Sequence, residues 1–157
     1  MRSVEVEYRS GTAGPGEAYD RIRDFARYPE LVDAVREVTV RPGPPGGPVE
    51  SDWEVDFRNG VLAWSEEDVF DDGRLTIAFT QTDGDFEEFH GRWEVRAHGT
   101  GCLVRFTAEF DFGLPSLAGI IDPVAERVLC ENIRLILDAL LGPAPGEAAG
   151  GRVGRAA

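Results

Sequence analysis

Residues 122–141 read DPVAERVLCENIRLILDALL, and this stretch decides the fold. Asp122 is an N-cap type residue, and Pro123 suits a first helical position, where a missing N–H has no partner to lose. Val124, Val128, Leu129, Ile133, Leu135, Ile136, Ala139 and Leu140 recur at helical spacing, and Gly142-Pro143 stops the run. The spacing predicts one long helix over 122–141, apolar enough to need cover on more than one side. What precedes it is mostly strand-like, so the cover is a curved sheet. Such a sheet cannot close fully on a helix, and the gap it leaves is the natural place for a ligand.

Outward from this helix, period-two alternation marks a run of strands. Val104, Phe106, Ala108, Phe110 and Phe112 alternate with Arg105, Thr107, Glu109 and Asp111. Phe89, Gly91, Trp93 and Val95 alternate with Glu88, His90, Arg92 and Glu94. Leu75, Ile77, Phe79 and Gln81 alternate with Thr76, Ala78, Thr80 and Thr82. Trp53, Val55 and Phe57 share one face of 52–58, and Asn59-Gly60 is a strong hairpin signal because both residues tolerate positive φ. The return strand, 61–70, is less tidy: Leu62, Trp64 and Phe70 share a face with Glu66 and Asp68, while Val61, Ala63, Ser65 and Val69 share the other with Glu67. Val38–Val40 and Val4–Tyr8 complete seven antiparallel strands. Between these last two, 17–27 and 29–35 read as short helices, with Pro29 pushing Tyr28 out of helical geometry. Pro115–Ile121 reads as a short helical lead-in to the long helix.

The chain has 157 residues, enough for one domain, 1–141, with a real core; 142–157 is mostly Gly, Ala, Pro and Arg without periodicity and reads as a disordered tail. A formal net charge of −13 argues against nucleic acid and anionic membrane as partners. The N-terminus runs straight into alternating residues, which reads as no signal peptide, and no apolar run is long enough to span a bilayer. Cys102 and Cys130 lack metal-ligand spacing and read as reduced, buried fillers, which fits a cytoplasmic protein.

With these residues in view, the order strand, two short helices, six antiparallel strands and long helix resembles the helix-grip fold of the START and Bet v 1-like superfamily. Within it, the chain is most similar to the polyketide cyclase/dehydrase and coenzyme Q-binding branch. The resemblance lies in Tyr28-Pro29-Glu30-Leu31, in Trp53 and Trp64 around Asn59-Gly60, in Gly84-Asp85-Phe86 leading to Trp93, and in Phe110-Asp111-Phe112. It covers residues 4–141. The fold class expected is α+β: a curved seven-stranded antiparallel sheet wrapped around a C-terminal helix. The resemblance implies a deep pocket for a greasy or aromatic ligand. In the aromatase/cyclases it implies folding of a poly-β-ketone chain, intramolecular aldol closure and dehydration, without a cofactor; the two histidines and two cysteines, far apart in sequence, give no metal-ligand pair at recognised spacing. An arginine that matters on the strand after the hairpin in such proteins is matched here by Val69, a departure.

Nearby, Ser65 and Glu67 are the candidate catalytic residues, if that face looks inward. A carboxylate in an apolar cavity is pushed toward neutral pKa and becomes usable as an acid or a base, which an aldol closure needs. The competing reading sends it to solvent. Trp53, Phe57, Phe79, Phe89, Trp93, Phe106 and Phe110 are inward aromatics, read either as core or as a stacking wall for a planar ligand. Gln81 is a candidate partner for a ligand carbonyl, Asn132 a polar interruption of the long helix that would orient a ligand from the pocket side, and Tyr28 a further wall residue. Arg58, His90 and Arg92 fall on the opposite face and read as surface. Two functions remain open: a cofactor-free cyclase, or a non-catalytic carrier of a lipid, quinone or intermediate. The partner expected is a hydrophobic small molecule, with an acyl carrier protein as a candidate to present it, and a monomer or homodimer as the assembly.

Overall fold

A computed structural model describes residues 1–58, 60–113 and 118–142, and the side chains of all of these except 118–121. The chain opens with β1 (Arg2–Ser10) and continues through α1 (Pro15–Ile22), a 3-10 turn (Phe25–Arg27) and α2 (Tyr28–Leu31). Six strands follow: β2 (Val35–Arg41), β3 (Val49–Phe57), β4 (Gly60–Asp71), β5 (Thr76–Gly84), β6 (Glu88–His98) and β7 (Gly101–Asp111). The last element is α3 (Ala118–Leu141). The strands form one antiparallel sheet in the order β1-β7-β6-β5-β4-β3-β2, a meander closed by β1 returning to β7. Helix α3 lies across the inner face and packs on β1 and α1. No helix among the described residues is long and apolar enough to cross a membrane.

Several local expectations are corrected. Helix α1 begins at Pro15 rather than Glu17, because Gly14 takes an extended cap conformation and the fixed φ of proline suits the first turn. It ends at Ile22, where Asp24 leaves helical angles (φ −83°, ψ 66°) and Phe25–Arg27 follow as a separate turn. Tyr28 stays helical (φ −56°, ψ −39°) despite preceding proline. Its ring is fully buried and its hydroxyl donates to the Ile22 carbonyl at 2.6 Å, contacts that outweigh the pre-proline preference. Val32 is extended (φ −135°, ψ 117°), so α2 stops there and Val35 already belongs to β2.

At the β3–β4 hairpin, Phe57 pairs with Gly60, so the loop is one residue earlier than Asn59-Gly60 implies, and Arg58 carries the positive φ (58°). Asn59 itself lies outside the described residues. Helix α3 starts four residues before Asp122, so Asp122 and Pro123 lie inside it rather than at its cap. The first part of the expected 115–121 lead-in, and all of the expected disordered tail 142–157 except Gly142, lie outside the described residues.

The strand alternation places a single core between sheet and helices, with Tyr19, Ile22, Tyr28, Ile77, Phe110 and Leu137 among its most buried side chains. Gly91 stands opposite Phe79, and a Cβ there would strike the Phe79 ring and the Thr107 carbonyl. A missing side chain on β6 thus lets an aromatic ring lie over the sheet, the kind of filling that favours curvature.

Candidate functional site

Between the sheet and α3 lies a cavity of about 90 Å3. Its wall is aromatic. Trp53 and Phe57 come from β3, Trp64 from β4, Phe79 from β5, Phe89 and Trp93 from β6, and Phe106 and Phe110 from β7. Phe25, Tyr28 and Phe86 complete the rings, and α3 contributes Ala125, Val128, Leu129, Asn132, Ile133 and Ile136. The seven aromatics expected to face inward therefore all line the cavity, as do Tyr28 and Asn132. The Trp53 and Trp64 rings stack at 5.8 Å with an interplanar angle of 2°. Phe89 meets Trp64 edge-on at 5.3 Å and Phe79 at 5.2 Å. Such contacts fix ring orientations and define the cavity's shape. Tyr28 contributes its ring alone, since its hydroxyl is held by Ile22 and burial pushes that hydroxyl well above its ordinary range.

The expected catalytic pair is not in this cavity. Glu67 is exposed, and Ser65 donates from its hydroxyl to Asp52 Oδ1 at 2.6 Å on the outer face. Strand β4 is turned the other way: Trp64, Glu66 and Asp68 point inward, because Trp64 pairs with the inward Trp53 and cross-strand partners share a face. Val69 is 48% exposed on the outer face, so the departure read there does not concern the cavity. Gln81 is half-buried on the inner face opposite Glu66, but its amide is engaged elsewhere. Its Nε2 donates to the Phe86 carbonyl at 2.9 Å and its Oε1 accepts from the Phe86 N–H at 3.3 Å. It braces the β5–β6 turn rather than facing a ligand. His90 lies 3.5 Å from Glu109 and Arg92 pairs with Glu94 at 3.2 Å, both outside as expected.

What replaces the expected pair is a buried relay of polar groups. Glu66 lines the cavity and is 4% exposed; Asp68, two residues on, is fully buried behind it. The Trp64 indole N–H donates to Glu66 Oε1 at 2.7 Å. The Trp53 indole N–H donates to Ser51 Oγ at 2.8 Å, and that hydroxyl donates to Asp68 Oδ2 at 2.6 Å. Asp68 Oδ1 meets no donor among the described residues while both carboxyls are ionised. Glu66 and Asp68 stand within reach of one another, and two carboxyls can hydrogen-bond only by sharing a proton.

Charge and burial point the same way. Burial first, then the neighbouring Asp68, push the Glu66 carboxyl well above the usual carboxylate range, while the Trp64 indole pulls it back. Burial also raises Asp68, against the pull of its bonds from Glu66 and Ser51. Two adjacent carboxyls in an apolar wall cannot both ionise cheaply, so the pair holds a proton to higher pH than either group would in water. Glu66 is then a cavity-facing group able to accept a proton and hand it on.

Residues 12–135 match the family described as polyketide cyclase / dehydrase and lipid transport. The chain belongs to that family. No curated protein matches the sequence. Among solved structures, the Thermus thermophilus protein TTHA0849 is 24% identical, with 88% of this chain and 94% of that one covered at a TM-score of 0.79. The Zhui aromatase/cyclase from Streptomyces sp. R1128 is 19% identical over 96% of this chain and 99% of its own, at 0.76. A START superfamily protein from Mycobacterium smegmatis is 17% identical over 89% and 95%, at 0.72. These likenesses establish the helix-grip fold. As a polyketide cyclase/dehydrase family member, the chain carries on β4 a buried carboxyl pair, of which Glu66 lines the aromatic cavity.

Proposed function

We propose that the protein binds a poly-β-ketone or a related hydrophobic intermediate in this cavity and promotes its intramolecular aldol cyclisation and dehydration. The observation that carries the reading is Glu66: an ionisable side chain on the wall, buried, oriented by Trp64 and backed by Asp68. A carboxyl in that setting is a stronger base than one in water. In the reaction, Glu66 takes the proton α to one ketone, and the enolate carbon attacks a second ketone to form the new C–C bond. Glu66 returns the proton to the resulting alkoxide. Loss of a further α-proton and of the hydroxyl releases water. Throughout, Asp68 shares the pair's resident proton and keeps Glu66 in one orientation. The aromatic wall holds a flexible chain near its reactive shape, which removes much of the entropy of ring closure.

At about 90 Å3 the cavity is smaller than the several hundred Å3 of an ordinary ligand site, so binding a chain requires α3 or the rim aromatics to give way. An acyl carrier protein delivering the chain as a thioester is the partner this reading favours. The second reading, carriage without chemistry, draws on the otherwise apolar wall. Glu66→Gln separates the two. With poly-β-ketone supplied by a minimal synthase, the cyclase reading expects cyclised product to fall at least about a hundredfold in that variant. Undiminished product would remove Glu66 from the chemistry.

A further inference from the structure

The cavity wall carries charge of only one sign. Among the described residues that line it, none is Lys, Arg or His, and the ionisable groups are Glu66, Tyr28 and Asp56. Asp56 sits at the exposed rim and is already matched by Arg36 at 3.5 Å. The other groups around Glu66 offer no positive charge either. Asp68 stands beside it on β4 and Gln81 opposite it on β5, Tyr28 keeps its proton, and the α3 residues of the wall are uncharged. The Trp64 N–H, the nearest fixed donor, already serves Glu66. The α3 residues that line the wall begin at Ala125, seven residues into the helix, beyond the first turn where a helix N-terminus attracts anions.

An incoming carboxylate would thus lose its hydration, meet no counter-charge and face a carboxyl pair that retains negative charge. Burying an unpaired ion of that kind costs several kcal/mol. A ketone, ester or thioester of the same shape carries no such penalty. We propose that the cavity selects by charge: it admits apolar molecules whose carboxyl groups are masked as esters or thioesters, or replaced by ketones, and refuses the free carboxylates. This rests on the cavity being the ligand site, but not on catalysis there. It also sets an order of reactions. A hydrolysis that frees the carboxylate of this ligand follows the protein's step and does not precede it.

The test is displacement of the neutral fluorophore N-phenyl-1-naphthylamine from the full chain, at pH 8, by methyl decanoate, 2-undecanone and decanoate. The ester and the ketone are expected to displace the probe at concentrations at least about tenfold below those decanoate needs. In Glu66→Gln the gap between ester and decanoate narrows. Leu129→Lys, which sets a cation on the half-buried part of the wall without touching β4, is expected to favour decanoate over the ester. It keeps the idea testable should Glu66→Gln fold poorly. Decanoate matching the ester in the unaltered protein overturns the charge selection alone, and leaves the proposed cyclisation to be judged by product formation. A protein that takes up neither probe nor ester overturns the selection together with the cavity reading.

Discussion

Trp53 and Trp64 face each other across the β3–β4 hairpin, stacked at 5.8 Å, and their indole N–H groups lead, one directly and one through a hydroxyl, to the two members of one carboxyl pair. Trp64 reaches Glu66 directly; Trp53 reaches Asp68 through Ser51. The stack therefore does two things at once. It forms part of the cavity wall, and it fixes two carboxyl groups that would otherwise repel one another. Ser51 is the narrow point, because its one hydroxyl both accepts from Trp53 and donates to Asp68. Ser51→Ala strips a donor from one buried group and an acceptor from another. The expected loss is about 2–4 kcal/mol of unfolding free energy, read from urea denaturation.

Trp64→Phe keeps a ring in the stack and removes the N–H that holds Glu66 down in pKa. Glu66 then gains its proton more readily. If activity needs Glu66 as a base, the acidic limb of the pH–rate profile moves to higher pH in this variant. A limb that stays in place means that another group titrates there.

Stability should also report the pair. In the folded protein Glu66 and Asp68 have pKa values raised above the ordinary 4.5 and 3.8, so between those values and the raised ones the folded state binds more protons than the unfolded state. The pair's contribution to stability is then fully present below the ordinary values and is lost as pH rises through the raised ones, by up to about 1.4 kcal/mol per pH unit for each proton. Urea midpoints measured from about pH 4.5 to about pH 8 check the direction. Glu66→Gln, which has no proton to lose, should flatten the slope and gain most at the alkaline end.

The fold is legible in the chain because alternation and helical spacing are imposed by burial along most elements, and Phe79, Phe89, Trp93, Phe106 and Phe110 lie on the face that alternation gives them. Strand β4 is not legible in this way, since both of its faces mix apolar and acidic residues: Leu62, Trp64 and Phe70 with Glu66 and Asp68, against Val61, Ala63 and Val69 with Glu67. Pattern alone is undecided there. The hairpin was not: a two-residue loop of either alignment pairs an odd-numbered β3 residue with an even-numbered β4 residue, and Trp53 was already inward. That parity places Glu66 inside. Alternation puts Gln81 on the inner face, but its partner is the backbone of Phe86, which lies in a turn no periodicity describes.

The outward face of β4 supplies the matching control. Glu67 is exposed, and the Ser65 hydroxyl is spent on Asp52 there. Glu67→Gln and Ser65→Ala should each change stability by less than about 0.5 kcal/mol and leave product formation as it was. A large loss of cyclised product in Glu67→Gln, with the fold intact by circular dichroism, would reverse the assignment of faces.

Phe86 is a half-buried ring of the cavity wall. It stacks on Phe89 at 4.5 Å and on Phe112 at 4.9 Å, and Phe112 in turn lies 6.3 Å from Phe57 at the end of β3. Phe57 and Phe86 both line the cavity, so these rings lie between it and solvent. Only Gln81 ties the Phe86 backbone to a neighbouring side chain among the described residues. Gln81→Ala removes both bonds, at a cost of about 1–3 kcal/mol in stability. It should also free the ring, so that a neutral probe leaves the cavity several-fold faster in stopped-flow displacement while its association rate rises with it. Phe86→Ala should move both rates in the same direction and further. Unchanged rates in both variants would mean that guests pass elsewhere, along α3 rather than past the phenylalanines.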